Sequence, residues 1–279
     1  MRQMGFALKY IMMTLIAIVC IIPIVWMVAG SLRPYEELFQ YSSNLNWHMF
    51  VPVKFTWVNY KNVIFNDTNP FLRYIWNTVL VSGSVTVIVL VVSSLAAFAF
   101  AKLRFRGKSI VFPLFMSAMI IPGEVTLVPN YLLMNNFGWV NSYASLIVPS
   151  SLSVFGIFLL RQFFADIPNE IMEAAKIDGA SVMRVFLRIV VPAAVPALIT
   201  LGLMTFLGNW DSYLWPLIVI NDEKKQMLQV AIASFSSLAG TDWSKILAAS
   251  TIATAPILIL FLFLQRYYIQ GITMSGVKG

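Results

Sequence analysis

The tetrapeptide Arg106-Gly107-Lys108-Ser109 has the residue types that close a phosphate-binding loop. In such a loop, lysine and hydroxyl side chains hold nucleotide phosphates and Mg²⁺, but the full pattern needs a glycine five residues before Gly107 and a preceding buried strand. Lys102 occupies that position, and a membrane-length apolar segment precedes it. The tetrapeptide is therefore interpreted as part of a short basic loop with Ser109 as a helix N-cap, and no ATPase site is predicted in this chain.

The other reactive residue types also give no prediction of catalysis. Cys20 lies inside an apolar run, and His48 has no second histidine or cysteine near it in the sequence. No nucleophile has a base at a suggestive spacing. The chain is therefore predicted not to be an enzyme, with no metal site and no cofactor of its own.

Polar residues inside apolar segments are candidates for a substrate pathway. Glu124 follows a Pro-Gly pair, which can break a helix and open a cavity, and Asn209, Trp210, Asp211 and Tyr213 lie late in another apolar segment. A carboxylate and an amide among aromatic rings suit a sugar, whose hydroxyls hydrogen-bond and whose C–H faces pack on rings. The same residues suit an aromatic belt at the outer interface, and Glu124 suits the outer membrane edge, so both interpretations stay open.

Residues 166–181 form a polar segment between two apolar runs. Asp166 suits the N-cap of a short helix, with Pro168 in its first turn. Gly179 suits the left-handed residue that ends a helix, and Ser181 suits the N-cap of a second helix. Two soluble-looking helices between membrane segments predict a docking surface for another protein.

The first of these helices is predicted to present a compact face. Helical spacing can place Ile171, Ala174 and Ala175 together, and small residues allow another backbone to approach closely. Glu173 is suited to pair with a basic residue of the partner. The alternative is an interfacial helix without a partner.

This segment carries a resemblance to a known family, through Glu173-Ala174-Ala175, Gly179, Ile189 and Pro192. The pattern resembles the EAA loop of ABC-importer permeases, whose cytoplasmic coupling helix fits a cleft in the ATPase subunit. The resemblance implies a dimeric cytoplasmic ATPase as partner, with Mg-ATP bound there. The residues that it implies for this contact are Glu173, Ala174, Ala175, Asp178 and Gly179.

The C-terminal residues 265–279 are similar to the C-terminus of the carbohydrate branch of that family, which includes the smaller permease subunit of maltose-type importers. In that branch the tail reaches between the ATPase subunits, which implies contacts from Thr273, Ser275 and Gly276. A frayed terminus is the alternative. The branch also implies a second, homologous permease in a heterodimer, an extracytoplasmic solute-binding protein, and a sugar or oligosaccharide as the substrate.

Composition places the chain in a membrane, because 59% of its residues are hydrophobic and 11% are charged. A helix crosses the hydrocarbon core in about 20 apolar residues. We therefore expect an all-α integral membrane protein, one transmembrane domain over 1–279, with a coupling loop at 165–189 and a tail at 267–279. The six expected spans are 10–32, 74–101, 109–134 (kinked), 142–164, 190–220 and 246–266.

The distribution of basic residues predicts that both termini are cytoplasmic. This orientation puts twelve of the 19 lysines and arginines on the inside, including four within residues 102–108. It also places the 165–189 loop in the cytoplasm, between spans 4 and 5. The expected location is a bacterial inner (plasma) membrane, in contact with lipid, and the clustering of the +7 charge argues against nucleic acid.

Small residues on the second span, Ser93, Ala97 and Ala101, recur every four positions and predict a face for close helix packing. Two other functions stay open. A secondary transporter driven by an ion gradient would need carboxylates near the membrane midplane, where these spans are nearly charge-free. A permease of another ABC branch would carry a non-sugar solute.

Overall fold

The computed structural model describes residues 2–40, 47–65, 70–237 and 240–276, and these residues are predominantly helical. A short hairpin pairs β1 (Ser236–Ser237) antiparallel with β2 (Gly240–Thr241). The α-helices are α1 (Arg2–Ser31), α2 (Tyr35–Gln40), α3 (Val58–Ile64), α4 (Phe71–Lys102), α5 (Lys108–Ser117), α6 (Gly123–Asn136), α7 (Tyr143–Ser150), α8 (Val154–Ala165), α9 (Asn169–Ile177), α10 (Val182–Val185), α11 (Val191–Ala193), α12 (Val195–Trp210), α13 (Leu214–Val219), α14 (Leu228–Ala233) and α15 (Trp243–Gly276).

The chain divides into two compact units. The first consists of Met1–Ile75 and Val230–Leu258, and the second of Trp76–Gln229 and Ile259–Gly279. The second unit holds an extensive buried apolar cluster and the coupling residues Glu173, Ala174, Ala175, Asp178 and Gly179. A single transmembrane domain over 1–279 stays a prediction.

Three uninterrupted helices are long and apolar enough to cross a membrane: Leu8–Ser31, Phe71–Lys102 and Trp243–Gln265. Three further segments reach that length only as bent helix pairs, so the described residues offer three spans, or up to six if each pair counts as one. The bent pairs are Lys108–Ile120 with Gly123–Asn136, Tyr143–Ser150 with Val154–Ala165, and Val182–Ala193 with Val195–Trp210. The number of six and the orientation stay predictions.

The first bent pair confirms the predicted kink. Its two helices meet at 99° on either side of Pro122. Pro122 has no N–H to continue the helix, and Ile121 before it is extended (φ −77°, ψ 115°), as expected of a residue that precedes proline.

The other two bends differ from the sequence expectation, which treated spans 4 and 5 as continuous. Ser153 interrupts the fourth by capping α8, where its Oγ accepts a hydrogen bond from the N–H of Gly156 at 2.9 Å. The fifth bends by 78° beside Ala194, which lies between Pro192 and Pro196. Each proline removes one backbone donor from the helix ladder, so the two together interrupt it.

The small-residue face on α4 packs closely, as predicted. Ser93 and Ala97 are fully buried. A Cβ atom on Gly156 of α8 would lie 2.9 Å from the Oγ atom of Ser93 and 3.0 Å from Cδ2 of Leu201. The approach of α8 to α4 and α12 therefore depends on the absence of a side chain at Gly156.

A second feature of this unit is an amide that joins two distant loop segments. Asn141 adopts a left-handed conformation (φ 64°), which asparagine tolerates better than most residues. Its Oδ1 atom accepts hydrogen bonds from the N–H groups of Asn221 and Asp222, at 3.2 and 2.9 Å. The Nζ atom of Lys225 donates to its carbonyl oxygen at 2.9 Å. The connection between α6 and α7 thereby fixes the segment that follows α13.

In the first unit, a buried ion pair organises the loop after α1. Nε of Arg33 lies 3.8 Å from Oε1 of Glu37, and both side chains are buried. The carboxylate of Glu37 also accepts hydrogen bonds from the N–H groups of Val53 and Lys54, at 2.7 and 2.9 Å. These bonds satisfy the buried charge, which would otherwise cost several kcal/mol, and fix residues 53–54 against α2.

Candidate functional site

The coupling segment contains one short helix with defined ends. α9 begins after Pro168, whose extended backbone (φ −57°, ψ 135°) occupies the N-cap position. At its other end Gly179 has φ 78°, and the N–H groups of Gly179 and Ala180 donate to the carbonyls of Lys176 and Ala175, at 3.0 and 2.9 Å. This pair of bonds is a Schellman motif, which confirms the predicted glycine stop.

The predicted N-cap role of Asp166 was wrong. Asp166 ends α8, in a helical conformation, and its N–H donates to the carbonyl of Gln162 at 3.4 Å. Two residues separate it from α9, because Pro168 requires an extended entry into that helix. The second cap prediction is confirmed, since Oγ of Ser181 accepts from the N–H of Arg184 at 3.3 Å. Ser109 is not an N-cap either, because Gly107 occupies that position at α5.

Lys102 joins the end of α4 to the start of α9. Its Nζ atom donates to the carbonyl oxygens of Ala165 and Ile167 and to Oδ1 of Asn169, the last at 3.0 Å. An ammonium group has three donors, so these contacts use its full capacity. A lysine near a helix C-terminus also suits the partial negative charge of the last carbonyls, here those of α8.

The inner face of α9 belongs to the core of the second unit. Met172 is 6% exposed and lies in the same apolar cluster as Phe98, Phe164 and Phe186. The rings of Phe98 and Phe186 have their centroids 5.1 Å apart. Ala175 is partly buried and packs on this cluster, so it does not share one open face with Ala174 as the sequence suggested. The inner face of α9 is thus packed against the helices that contribute these aromatic side chains.

The outer face of α9 is open. Ile171 is 48% exposed and Ile177 is 87% exposed, which are high values for isoleucine. Glu173, Ala174 and Asp178 are also exposed. A short helix with one buried residue and two exposed isoleucines beside a carboxylate has the chemistry of a surface that another protein covers.

After Gly179 the chain enters α10 and then a π-helix at Phe186–Val190. Phe186 and Val190 are buried, and Leu187 is 56% exposed. A wider turn of this kind changes which side chains face the core without breaking the helix. It ends two residues before Pro192, so the helix that follows the coupling segment packs on the core before it bends.

The structure brings four of the predicted pathway residues together at the end of α12. Trp210 is 1% exposed and stacks on Phe206, with ring centroids 5.7 Å apart. Oδ1 of Asp211 accepts from Nε2 of Gln229 at 3.2 Å, and Tyr213 is 42% exposed. Nδ2 of Asn209 donates to the carbonyl of Thr205 at 2.8 Å, within its own helix. The burial of Trp210 and the bond of Asn209 within its own helix favour a structural role for these two residues. Asp211 and Tyr213 are the better candidates for contact with a substrate.

Glu124 is separate from that group. It is exposed and lies in the first turn of α6, immediately after the Pro122 break, where a carboxylate suits the helix N-terminus.

The predicted tail contacts fall at the end of α15. This helix continues through Gly276, while the side chains of Thr273 and Ser275 lie outside the described part of the chain.

Two contributors to the site were not found from the sequence. The sequence indicates Lys102 as a basic residue of a cytoplasmic loop, and the available signal for its contacts is that a lysine at the end of a helix is a usual donor to nearby carbonyls. Met172 lies between Ile171 and Glu173, which the structure shows to be exposed. An apolar residue between exposed positions gives no sequence signal of its burial.

Comparison with known proteins identifies the family of this chain. The chain belongs to the family of binding-protein-dependent transport system inner membrane components, whose sequence profile matches residues 90–274. The match includes the whole coupling segment and the end of α4 that holds Lys102. A member of this family is a transport component, and the chain is a multi-pass protein of the inner membrane.

Individual relatives match over most of the chain. It is 32% identical to the arabinooligosaccharides transport system permease protein AraQ of Halalkalibacterium halodurans, over 95% of this chain and 93% of that protein. It is 31% identical to the trehalose/maltose transport system permease protein MalG of Thermococcus litoralis, over 95% and 94%. It is 32% identical to the sn-glycerol-3-phosphate transport system permease protein UgpE of Pectobacterium atrosepticum, over 86% of each.

A solved structure shares the fold. A chain of a bacterial ABC transporter involved in the import of the acidic polysaccharide alginate superposes with a TM-score of 0.83, at 20% identity, over 95% of this chain and 97% of that chain. The two chains therefore share one arrangement of long and broken helices.

Proposed function

We propose that this chain is the permease subunit of an ATP-driven importer that takes up a sugar or oligosaccharide. The observation that carries the proposal is α9, an exposed helix held by Lys102 and by buried Met172 to the helices around it. The chain belongs to a family of transport components, and its sequence carries no nucleotide-binding loop. Such a helix is then the means by which a separate ATPase, holding Mg-ATP, moves the spans.

The ATPase contact is proposed to use the exposed side of the α9 turn. Glu173 pairs with a basic residue of the ATPase, while Ala174 allows close approach and Asp178-Gly179 ends the helix sharply. Ala175 contributes from the inner side by holding α9 on the core. The C-terminal residues Thr273, Ser275 and Gly276 are proposed to extend this contact.

The membrane arrangement proposed is six spans with both termini in the cytoplasm. Each bent helix pair then counts as one span, which is consistent with its length and apolar character. The basic residues of the 102–108 loop support the inside location of that loop and of α9. The orientation can be tested by replacing Cys20 with serine and adding Ile177→Cys or Glu223→Cys. An impermeant maleimide should label the first only from the cytoplasmic side and the second only from outside.

Three partners complete the proposed importer. They are a homologous permease forming a heterodimer, a dimeric cytoplasmic ATPase and an extracytoplasmic solute-binding protein. The carbohydrate substrate is supported by the names of the relatives AraQ and MalG and by the alginate importer that shares the fold. Glu124, Asp211 and Tyr213 are the side chains proposed to face the pathway, with Asn209 and Trp210 supporting them.

The test is uptake by the complete complex in proteoliposomes. We expect uptake of a saccharide to need ATP on the cytoplasmic side and the binding protein on the other, and to persist when ionophores collapse proton and sodium gradients. The saccharide should also stimulate ATP hydrolysis. Uptake that follows an ion gradient without ATP would contradict the proposal.

A non-sugar solute is the second candidate, because the relative UgpE is named for sn-glycerol-3-phosphate transport. The same proteoliposomes distinguish the two substrates. Stimulation of ATP hydrolysis by sn-glycerol 3-phosphate and not by arabinooligosaccharides or maltose would replace the carbohydrate with this solute, and leave the coupling mechanism unchanged.

A further inference from the structure

A basic cavity lies where the α4–α5 loop meets α8, within the second unit. Its volume is about 420 Å³, and its lining includes Phe105, Lys108, Ser109, Phe112 and Arg161. No carboxylate is among its lining residues. Two cationic side chains therefore share one cavity, and no acidic side chain there balances their charge.

Arg161 lines this cavity with a guanidinium group that an aromatic ring holds in place. Its guanidinium carbon lies 4.2 Å from the centroid of the Phe112 ring, which fixes the plane of the group. Its Nε atom is buried and has no hydrogen-bond partner among the described residues. A buried donor without an acceptor is destabilising, and the other four N–H donors of the guanidinium are those that can reach a ligand in the cavity.

The protein accepts hydrogen bonds from only some of the donors of the Lys108 ammonium group. Its Nζ atom donates to the carbonyls of Leu103 and Ala101, at 3.0 and 3.5 Å, and an ammonium group has a third donor. In the part of the chain that the structure describes, neither Lys108 nor Arg161 forms an ion pair with a carboxylate. Ser109 adds a hydroxyl at the same cavity. An anion would relieve the repulsion between the two cations and take up their remaining donors.

The surroundings indicate where that anion comes from. The loop lies between two apolar helices of candidate spans, so it is at a membrane–water boundary whichever way the chain is oriented. On α5, which follows the loop, Ile110 is 73% exposed and Leu114 is 68% exposed, as expected of side chains that face lipid tails. A phosphate group at Lys108 and Arg161 with acyl chains along α5 would satisfy both parts of this surface.

We propose that this cavity binds the phosphate group of an anionic phospholipid. The tetrapeptide at 106–109, which lacks the sequence of a nucleotide loop, thus contributes to a phosphate site of a different kind. The inference does not depend on the ATPase or on the transported solute, and it concerns a surface distinct from the exposed face of α9.

The test uses the full-length protein purified with its bound subunits, and native mass spectrometry after exchange into phosphatidylglycerol or phosphatidylcholine. The double variant Lys108→Gln/Arg161→Gln removes both cations from the cavity. The matched control, Arg104→Gln/Arg106→Gln, removes the same charge from exposed residues of the same loop. We expect the cavity variant to lose retained phosphatidylglycerol about tenfold, since charge-assisted hydrogen bonds are lost, and the control to lose less than about twofold.

Equal loss in the two variants would overturn the proposal in favour of general charge attraction, and so would equal retention of phosphatidylglycerol and phosphatidylcholine by the wild type. A free phosphate-bearing solute is the other source of this ligand chemistry. Displacement of the lipid by inorganic phosphate at low millimolar concentration would assign the cavity to such a solute and overturn the lipid assignment.

A second measurement avoids dependence on the folding of the variants. In the wild-type protein, a phosphatidylglycerol analogue with a photoreactive headgroup should cross-link to the peptides that contain Lys108 and Arg161, and unlabelled phosphatidylglycerol should compete. Cross-linking confined to other peptides would overturn the proposal.

Discussion

The Nζ atom of Lys102 lies 3.0 Å from the Oδ1 atom of Asn169, so the last residue of α4 touches the first residue of α9. The two residues are 67 positions apart in the chain. The same Nζ atom donates to carbonyls on both sides of Asp166, at the end of α8 and before Pro168. A single side chain therefore fixes the entry to the proposed coupling helix.

Lys102→Met should weaken the coupling of ATP hydrolysis to uptake. Methionine keeps the apolar stem and loses all three hydrogen bonds, so α9 can shift without moving α4. We expect the number of solute molecules imported per ATP to fall about fivefold, because charged hydrogen bonds contribute on the order of 1–2 kcal/mol when partly exposed. The matched change Arg104→Met, at an exposed residue of the same loop, should leave the ratio unchanged. An unaltered ratio in Lys102→Met would contradict a positioning role.

Glu173→Lys should weaken binding of the ATPase without unfolding the chain. Glu173 is exposed, so the folded state loses little, but its pairing with a basic partner is reversed. The affinity measured by surface plasmon resonance should fall at least about tenfold, as expected of a reversed interfacial charge. Glu223→Lys is the control, because Glu223 is also exposed but lies in the loop after α13. Equal weakening by both changes would indicate a general charge effect.

Gly179→Ala should lower stability through the backbone alone. A Cβ atom on Gly179 would meet nothing within 4 Å, but its φ of 78° is unfavourable for alanine by about 1 kcal/mol. Gly208→Ala is matched to it, since its added Cβ also meets nothing within 4 Å while the residue lies in the helix α12. There alanine should be neutral or stabilising. Thermal unfolding in detergent measures both, and a similar midpoint for the two variants would be evidence against strain at Gly179.

Gly156→Ala should be destabilising for a steric reason instead. The added Cβ would be 2.9 Å from Oγ of Ser93 and 3.0 Å from Cδ2 of Leu201, so α8 must move away from its neighbours. Overpacking of this kind costs about 1–3 kcal/mol. Gly83→Ala, in the interior of α4 with no atom within 4 Å of the added Cβ, is the control and should not lower the midpoint. If both variants unfold like the wild type, α8 is not closely packed at Gly156.

Local features of the coupling segment were predictable because short-range chemistry sets them. Gly179 after a helical pattern and Ser181 before the next gave the helix stop and the next cap correctly. Asp166 was assigned to the wrong helix, because the extended entry that Pro168 requires moves the start of α9 two residues further along. A cap preference alone does not contain that offset.

The bends of the expected spans were predictable only in part. Pro122 before a glycine gave the first bend, but the breaks at Ser153 and Ala194 lie inside runs that are apolar enough to read as continuous. In those runs hydropathy measures only the length of apolar sequence, and it does not report where the hydrogen-bond ladder is interrupted. The contacts of Lys102 and the burial of Met172 involve residues far away in the chain, so a local pattern does not identify their partners.

The amide of Asn141 has a consequence for biogenesis. The N–H groups that donate to its Oδ1 atom are about eighty residues further along, so Asn141 is synthesised well before the backbone groups of Asn221 and Asp222 that it orients. The acceptor for that later segment is therefore already present when the segment leaves the ribosome. During insertion, the segment after α13 can therefore reach its final position only once the α6–α7 connection has been made.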